Sequence, residues 1–264
     1  MRAVAEGAAL AGAAELLALL LAAYLVLGQP VVGAWSHLRF RRVGADPAAR
    51  LGRYGRTAAI EWTLAAAALA VVAGAPGLDL GDVGVRWPRA SAYTAVGAVG
   101  LLLSIGLLAG LRRRVDHGVP VAAPVEVSAL LPRTPAERRA FAGLALTAGV
   151  CEELLYRGVL LAVVVALAPE LSPWRLVAVS ALAFAVAHTY QGIAGMLTSF
   201  VLGGSLAVLY LGSGSLLLPV LYHVLVDLRV LVLAVDRHRP RHRAARVGGG
   251  PSGQAGLGER GRSR

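Results

Sequence analysis

Cys151-Glu152-Glu153-Leu154-Leu155-Tyr156-Arg157 sets two adjacent carboxylates and a guanidinium inside an apolar run that extends to about residue 168. Roughly 20 apolar residues cross the hydrocarbon core of a bilayer. A carboxylate held at that depth costs about 2.5–3.5 kcal/mol on insertion scales, so a membrane helix that carries two side by side is read as using them. The stretch decides the fold as a helical membrane bundle and marks where its chemistry is expected.

Composition agrees with that reading. The 264 residues are 57% hydrophobic and 16% charged, and mean hydropathy is +0.66. This is too apolar for an ordinary soluble domain of that length. All 26 basic residues are arginine, and the net charge is +11. The arginines cluster in the gaps between apolar runs and in the tail, which fits the positive-inside rule and argues against a nucleic-acid partner. The lone cysteine, Cys151, excludes an internal disulfide framework and a multi-cysteine zinc site, and reads as a packing residue.

Seven apolar segments are expected to span, near 8–28, 57–75, 91–111, 137–168, 174–191, 193–212 and 215–235. The fold class is therefore all-α, a polytopic transmembrane bundle with a polar cavity among its later helices. The first segment begins with Glu6 rather than a basic cluster and lacks a clear cleavage site, so it is read as a retained span. Basic stretches at 37–56 (Arg39, Arg41, Arg42, Arg50, Arg53, Arg56), at 112–139 and after 236 are expected on the cytoplasmic side, with the N-terminus outside. The chain divides into N-terminal membrane helices (1–133), a core carrying the polar motifs (134–235) and a basic tail (236–264) expected to be disordered. The expected location is the bacterial plasma membrane.

Thr134-Pro135-Ala136-Glu137 predicts the start of the fourth span as a capping box with proline at the first helical position. From there Glu152 falls near mid-membrane. Phe184 and His188 in the fifth span, and His223 and Asp227 in the seventh, are each four residues apart and share a helix face. Their depths match that of Glu152, so they are expected to meet in one cavity. Glu153 and Arg157 also lie four apart, while Glu152 shares a face with Tyr156. A buried arginine needs an anion, which pairs Arg157 with Glu153 and leaves Glu152 to handle a proton. Spacing alone leaves the opposite assignment open. Glu15 and Glu61 are read as isolated polar residues, Glu61 close to the interface, and Phe184 as packing. Gly203, Gly204, Gly212 and Gly214 around the sixth span permit either close helix approach or a loosened helix.

The order Glu152-Glu153-x-x-x-Arg157, Phe184-x-x-x-His188, His223-x-x-x-Asp227 over about 134–230 resembles the CPBP family of intramembrane proteases, which includes the type II CAAX prenyl endopeptidases and the Abi bacteriocin-processing or self-immunity proteins. The first three spans match only as generic membrane helices. The resemblance implies an intramembrane endopeptidase acting on a membrane-associated or lipid-modified protein or peptide. In it Glu152 is a general base aided by His188, with His223 and Asp227 orienting or stabilising the oxyanion. The catalytic candidates are thus Glu152, Glu153, His188, His223 and Asp227, supported by Arg157, Tyr156 and Phe184. The CAAX-processing branch usually has asparagine where this chain has Asp227, which counts against a prenyl-cysteine substrate. No organic cofactor is implied. A metal-assisted variant stays open, with Zn²⁺ on Glu152, Glu153, His188 and His223, although no His-Glu-x-x-His spacing is present. Outside proteolysis, the alternatives are a non-catalytic scaffold or immunity protein of the same fold, or a transporter. The last would show interrupted helices in both halves.

Overall fold

A computed structural model describes residues 12–43, 46–117 and 131–233. Among them there is no strand, and the helices form seven rods. The first rod runs from α1 (Ala13–Ala23) through a π-helical segment, Tyr24–Gly28, into α2 (Gln29–Val43). Then come α3 (Pro47–Gly74) and α4 (Ala92–Asp116). The fourth rod joins α5 (Pro135–Glu153), a second π segment (Leu154–Val159) and α6 (Leu160–Leu167). The last three are α7 (Pro173–Ala187), α8 (Gly192–Ser213) and α9 (Leu217–Leu233). Four helices, Ala13–Phe40, Pro47–Gly74, Ala92–Asp116 and Thr189–Ser213, are long and apolar enough to cross a membrane. The chain is an integral membrane protein.

Several boundaries differ from those the sequence suggests, for local reasons. The stretch 37–56 is mostly helix. Asp46 accepts a hydrogen bond from Ala49 N at 3.3 Å and Pro47 occupies the first turn, so α3 begins ten residues before the expected 57. The arginines expected in a loop therefore ride on helix ends. The capping box at α5 forms as predicted: Glu137 N donates to Thr134 Oγ1 at 3.2 Å and Thr134 N donates to Glu137 Oε2 at 3.1 Å. The expected fifth span, 174–191, stops as a helix at Ala187. At 15 residues, roughly 22 Å, α7 is shorter than the hydrocarbon core is thick. The basic tail and the stretch 118–130 lie outside the described residues.

The fourth rod is the axis of the bundle. Every residue from Cys151 to Val163 is buried, which is why its charged residues coexist with a membrane fold. α3 and α9 both pack on α5, and α7 pairs with α8. Gly149 lets α9 approach closely: a Cβ there would sit 3.1 Å from Val224 N and 3.3 Å from the Val220 carbonyl. α4 lies at the edge and presents Val96, Val99, Leu102, Leu103 and Leu107 outward, as a lipid-facing helix does.

Polar contacts tie the rod ends into two layers. At one end Arg50 of α3 pairs with Glu137 of α5 at 3.0 Å, and Arg53 donates to Ser36 O at 2.9 Å. At the other, the turn 76–91 meets the α8–α9 connection, with Arg86 Nε to Gly214 O at 2.9 Å, Leu216 N to Gly84 O at 2.8 Å and a short Ser215 hydroxyl bond to the Arg86 carbonyl. Gly214 has φ of +69°, the left-handed cap that ends α8. The basic helix ends at 37–56 and 131–139 thus share one end of the bundle.

Candidate functional site

The residues singled out in the sequence converge on the inner side of α5. Glu153 is the fixed point. Its Oε1 accepts from Arg157 Nη1 at 2.9 Å, one helical turn along, and from His223 Nδ1 at 2.8 Å across the α5–α9 contact. Arg157 also donates to Gly203 O at 3.1 Å, and its guanidinium lies 4.5 Å from the Phe184 ring centroid. Carboxylate, guanidinium and imidazole are all buried, each answering the charge or hydrogen-bonding need of the next.

Phe184 does more than fill space. Its ring stands edge-on to Tyr156 at 5.3 Å and to His223 at 5.7 Å, and lies 4.4 Å from the His188 ring. The Phe184 carbonyl accepts from His188 Nδ1 at 2.7 Å. His188 caps α7 with φ −98° and ψ 17°, so the imidazole occupies the point where the helix ends. A 3₁₀ turn, Thr189–Gln191, and Gly192 at φ +75° then send the chain into α8. Tyr156 reaches Leu25 O in the first π segment at 3.5 Å.

These bonds fix how both imidazoles present themselves. A carbonyl and a carboxylate only accept, so Nδ1 carries the proton on His188 and on His223, and Nε2 is the atom turned to the cavity. The two Nε2 atoms face one carboxylate oxygen, Glu152 Oε2, at 3.9 Å from His188 and 3.8 Å from His223. That oxygen is buried and makes no hydrogen bond within the protein. His223 Nε2 is also 3.8 Å from Asp227 Oδ2. Side-chain exposure rises from 10% at Glu152 and 12% at His188 to 34% at Asp227, so Asp227 marks the side of the cluster nearest the surface.

Glu153 Oε1 is occupied by Arg157 and His223, while its Oε2 is buried and makes no hydrogen bond in the protein. Among the described residues no three His, Cys, Asp or Glu side chains are disposed to hold a metal ion. Two ligands of one tetrahedral zinc, each at about 2.0–2.1 Å, sit roughly 3.3 Å apart, closer than the Glu152–imidazole separations here.

Glu61 is the residue the sequence reading misplaced. Because α3 begins at Pro47, Glu61 lies about 14 residues, roughly 21 Å, along that helix and away from its basic end. It is buried at 7% exposure and interacts electrostatically with Glu152, Asp227 and His223. The helix start, Asp46-Pro47, was the signal that placed it. Glu15 stays isolated and exposed near the start of α1.

Residues 136–229 match the family model of the type II CAAX prenyl endopeptidase Rce1-like proteins. That is about a third of the chain, and it holds Glu152, Glu153, Arg157, His188, His223 and Asp227. No curated protein and no solved structure matches the chain. The match supports the resemblance to the CPBP family and a CAAX-type endopeptidase in general terms.

Proposed function

We propose that the protein is an intramembrane endopeptidase in which Glu152 is the general base. The observation that carries this reading is the convergence of both imidazole Nε2 atoms on a buried Glu152 oxygen that has no partner in the protein. A group of acceptors arranged so is suited to hold a water molecule, since water supplies the hydrogens they lack.

In this reading a water donates one hydrogen to Glu152 Oε2 and the other to an imidazole Nε2, which aims an oxygen lone pair at the scissile carbonyl. Attack forms the new C–O bond as the proton moves to Glu152. The carbonyl π electrons go to oxygen, and the oxyanion is met by the O–H of a protonated Asp227, whose Oδ2 lies 3.8 Å from His223 Nε2. Collapse of the tetrahedral species breaks the C–N bond. Glu152 returns its proton to the departing nitrogen, leaving a carboxylic acid and an amine and the enzyme unchanged. Glu153, Arg157 and Phe184 are positioning residues: they hold the two rings and touch no reacting atom.

Four carboxyls and one permanent cation inside a membrane protein are costly unless used. The substrate is read as a membrane-associated or lipid-modified protein or peptide that presents its bond at the Asp227 side of the cavity. The basic helix ends are placed in the cytoplasm, with the N-terminus outside. The test compares the termini of membrane proteins and peptides in cells that carry wild-type or Glu152→Gln protein at equal expression. New termini with the wild type alone are expected, and identical profiles from two folded, inserted proteins would refute the reading.

A further inference from the structure

Glu61 lies outside the segment that matches the family model, on a helix, α3, that packs along α5. Its Oε2 is buried and makes no hydrogen bond in the protein, a condition it shares with the Oε2 atoms of Glu152 and Glu153. Glu61 lies within electrostatic range of Glu152 and Asp227, and Cys151, next to Glu152 on α5, lies within range of both Glu61 and Glu152. No arginine stands among the partners of Glu61, and the one group among them able to carry positive charge is His223. A buried carboxylate oxygen that meets no hydrogen-bond donor in the protein is expensive. If its role were packing, a leucine on α3 would serve better, since replacing buried polar groups by apolar ones of similar shape is often neutral or stabilising. The adjacent residue shows that α3 has ordinary means of attachment here: Trp62 Nε1 donates to Thr147 Oγ1 of α5 at 3.2 Å.

We propose that Glu61 is a positioning residue of the hydrolytic site, an acceptor on α3 that helps hold the water network around Glu152. This rests on the peptidase reading and extends it, because the site then draws on the N-terminal helices as well as the matched core. Glu152 and Glu61 each offer an unpartnered oxygen. A water that gives one hydrogen to Glu152 can be steadied by a second water bound to Glu61, so that its lone pair keeps the direction needed for attack. Removing the Glu61 oxygen leaves the first water a wider range of orientations, a loss that falls on the chemical step and not on substrate binding.

The experiment uses the full chain in detergent or nanodiscs and a fluorescence-quenched peptide built on a bond cleaved by the wild type in cells. It compares Glu61→Leu and Glu61→Gln with the wild type, and Glu152→Gln as control. Glu61→Leu is expected to melt no lower than the wild type and to lose about tenfold to a hundredfold in kcat, with KM within about twofold. Glu61→Gln keeps an acceptor oxygen and should fall between them. Full kcat in Glu61→Leu, or an effect confined to KM, overturns the inference while an inactive Glu152→Gln leaves the peptidase reading standing. Should Glu61→Leu fail to insert, Glu61→Gln carries the same test, and a kcat equal to wild type overturns the proposal. A fully active Glu152→Gln would instead refute the role given to Glu152.

Discussion

Arg157→Met tests whether the buried charge cluster is what holds the two imidazoles in place. The guanidinium makes a 2.9 Å ion pair with Glu153, a 3.1 Å bond to the Gly203 carbonyl and a face contact with Phe184 at 4.5 Å. Methionine keeps much of the volume and loses all three polar contacts. Glu153 would then keep His223 Nδ1 as its one hydrogen-bond donor, with its charge otherwise uncompensated in a site where it is fully buried. Breaking a buried pair by removing one partner costs about 3–5 kcal/mol. For a chain of this size that lowers the melting temperature by about 6–20 °C on the soluble-protein scale. The double variant Arg157→Met with Glu153→Met removes the stranded charge and should recover most of the stability, though not activity, because His223 loses the carboxylate that orients it. Thermal unfolding in detergent and the quenched-peptide assay read the two effects separately. If Arg157→Met lies within about 1 kcal/mol of wild type, or if the double variant is no more stable than the single one, the cluster is not the keystone argued above.

Glu152→Gln should lower cleavage by about a hundredfold to ten-thousandfold with no loss of melting temperature, since it removes the base and leaves no buried charge unpaired. Glu137→Ala should destabilise by about 2–4 kcal/mol, because it removes the ion pair to Arg50 and the acceptor of both the Arg133 and Thr134 amides; kcat per folded molecule should be unchanged. Gly203→Val should cost about 1–3 kcal/mol and reduce activity, since even a Cβ there would approach the Phe184 Cβ to 3.1 Å and Arg157 Nη2 to 3.3 Å. Prolonged dialysis against a chelator should leave cleavage intact, and a loss reversed by zinc would move the chemistry from base-activated water to a Lewis acid.

The sequence revealed those parts of the site whose cost is visible in one dimension. Paired glutamates and intramembrane histidines stand out against an apolar background, and i,i+4 spacing was enough to join Glu153 to Arg157. Glu61 was missed because hydropathy was allowed to set the start of α3. The arginines at 50, 53 and 56 pull the apparent boundary inward, whereas Asp46-Pro47 starts the helix earlier and carries Glu61 away from the basic end. The end of α7 was missed for a different reason. Ala187-His188-Thr189-Tyr190-Gln191 contains no proline or glycine, and the helix yields there to a ring nitrogen that bonds the Phe184 carbonyl. Gly203 and Gly204 were ambiguous in sequence, and three-dimensional neighbours resolve Gly203 as a close-approach position that gives its carbonyl to Arg157.

That early end of α7 bears directly on how a dry bundle admits chemistry. Backbone that leaves the helix at membrane depth must find other partners or face water. Here His188 N bonds Ala185 O at 3.0 Å, Gln191 N bonds His188 O at 2.9 Å, and Gly192 turns the chain back as α8, so few backbone groups are left over. Tyr190 and Gln191, linked at 3.1 Å, then line the end of the short helix, and Tyr190 stacks between His188 at 5.8 Å and His37 at 5.7 Å. A continuous fifth span would have put more helix, with its backbone sealed, where the cavity lies. Ending it at His188 both aims the imidazole inward and leaves polar lining beside Asp227, which is more exposed than Glu152, His188 or His223. In the proposed peptidase the same break would set both the position of a catalytic group and the side from which water and a peptide reach it.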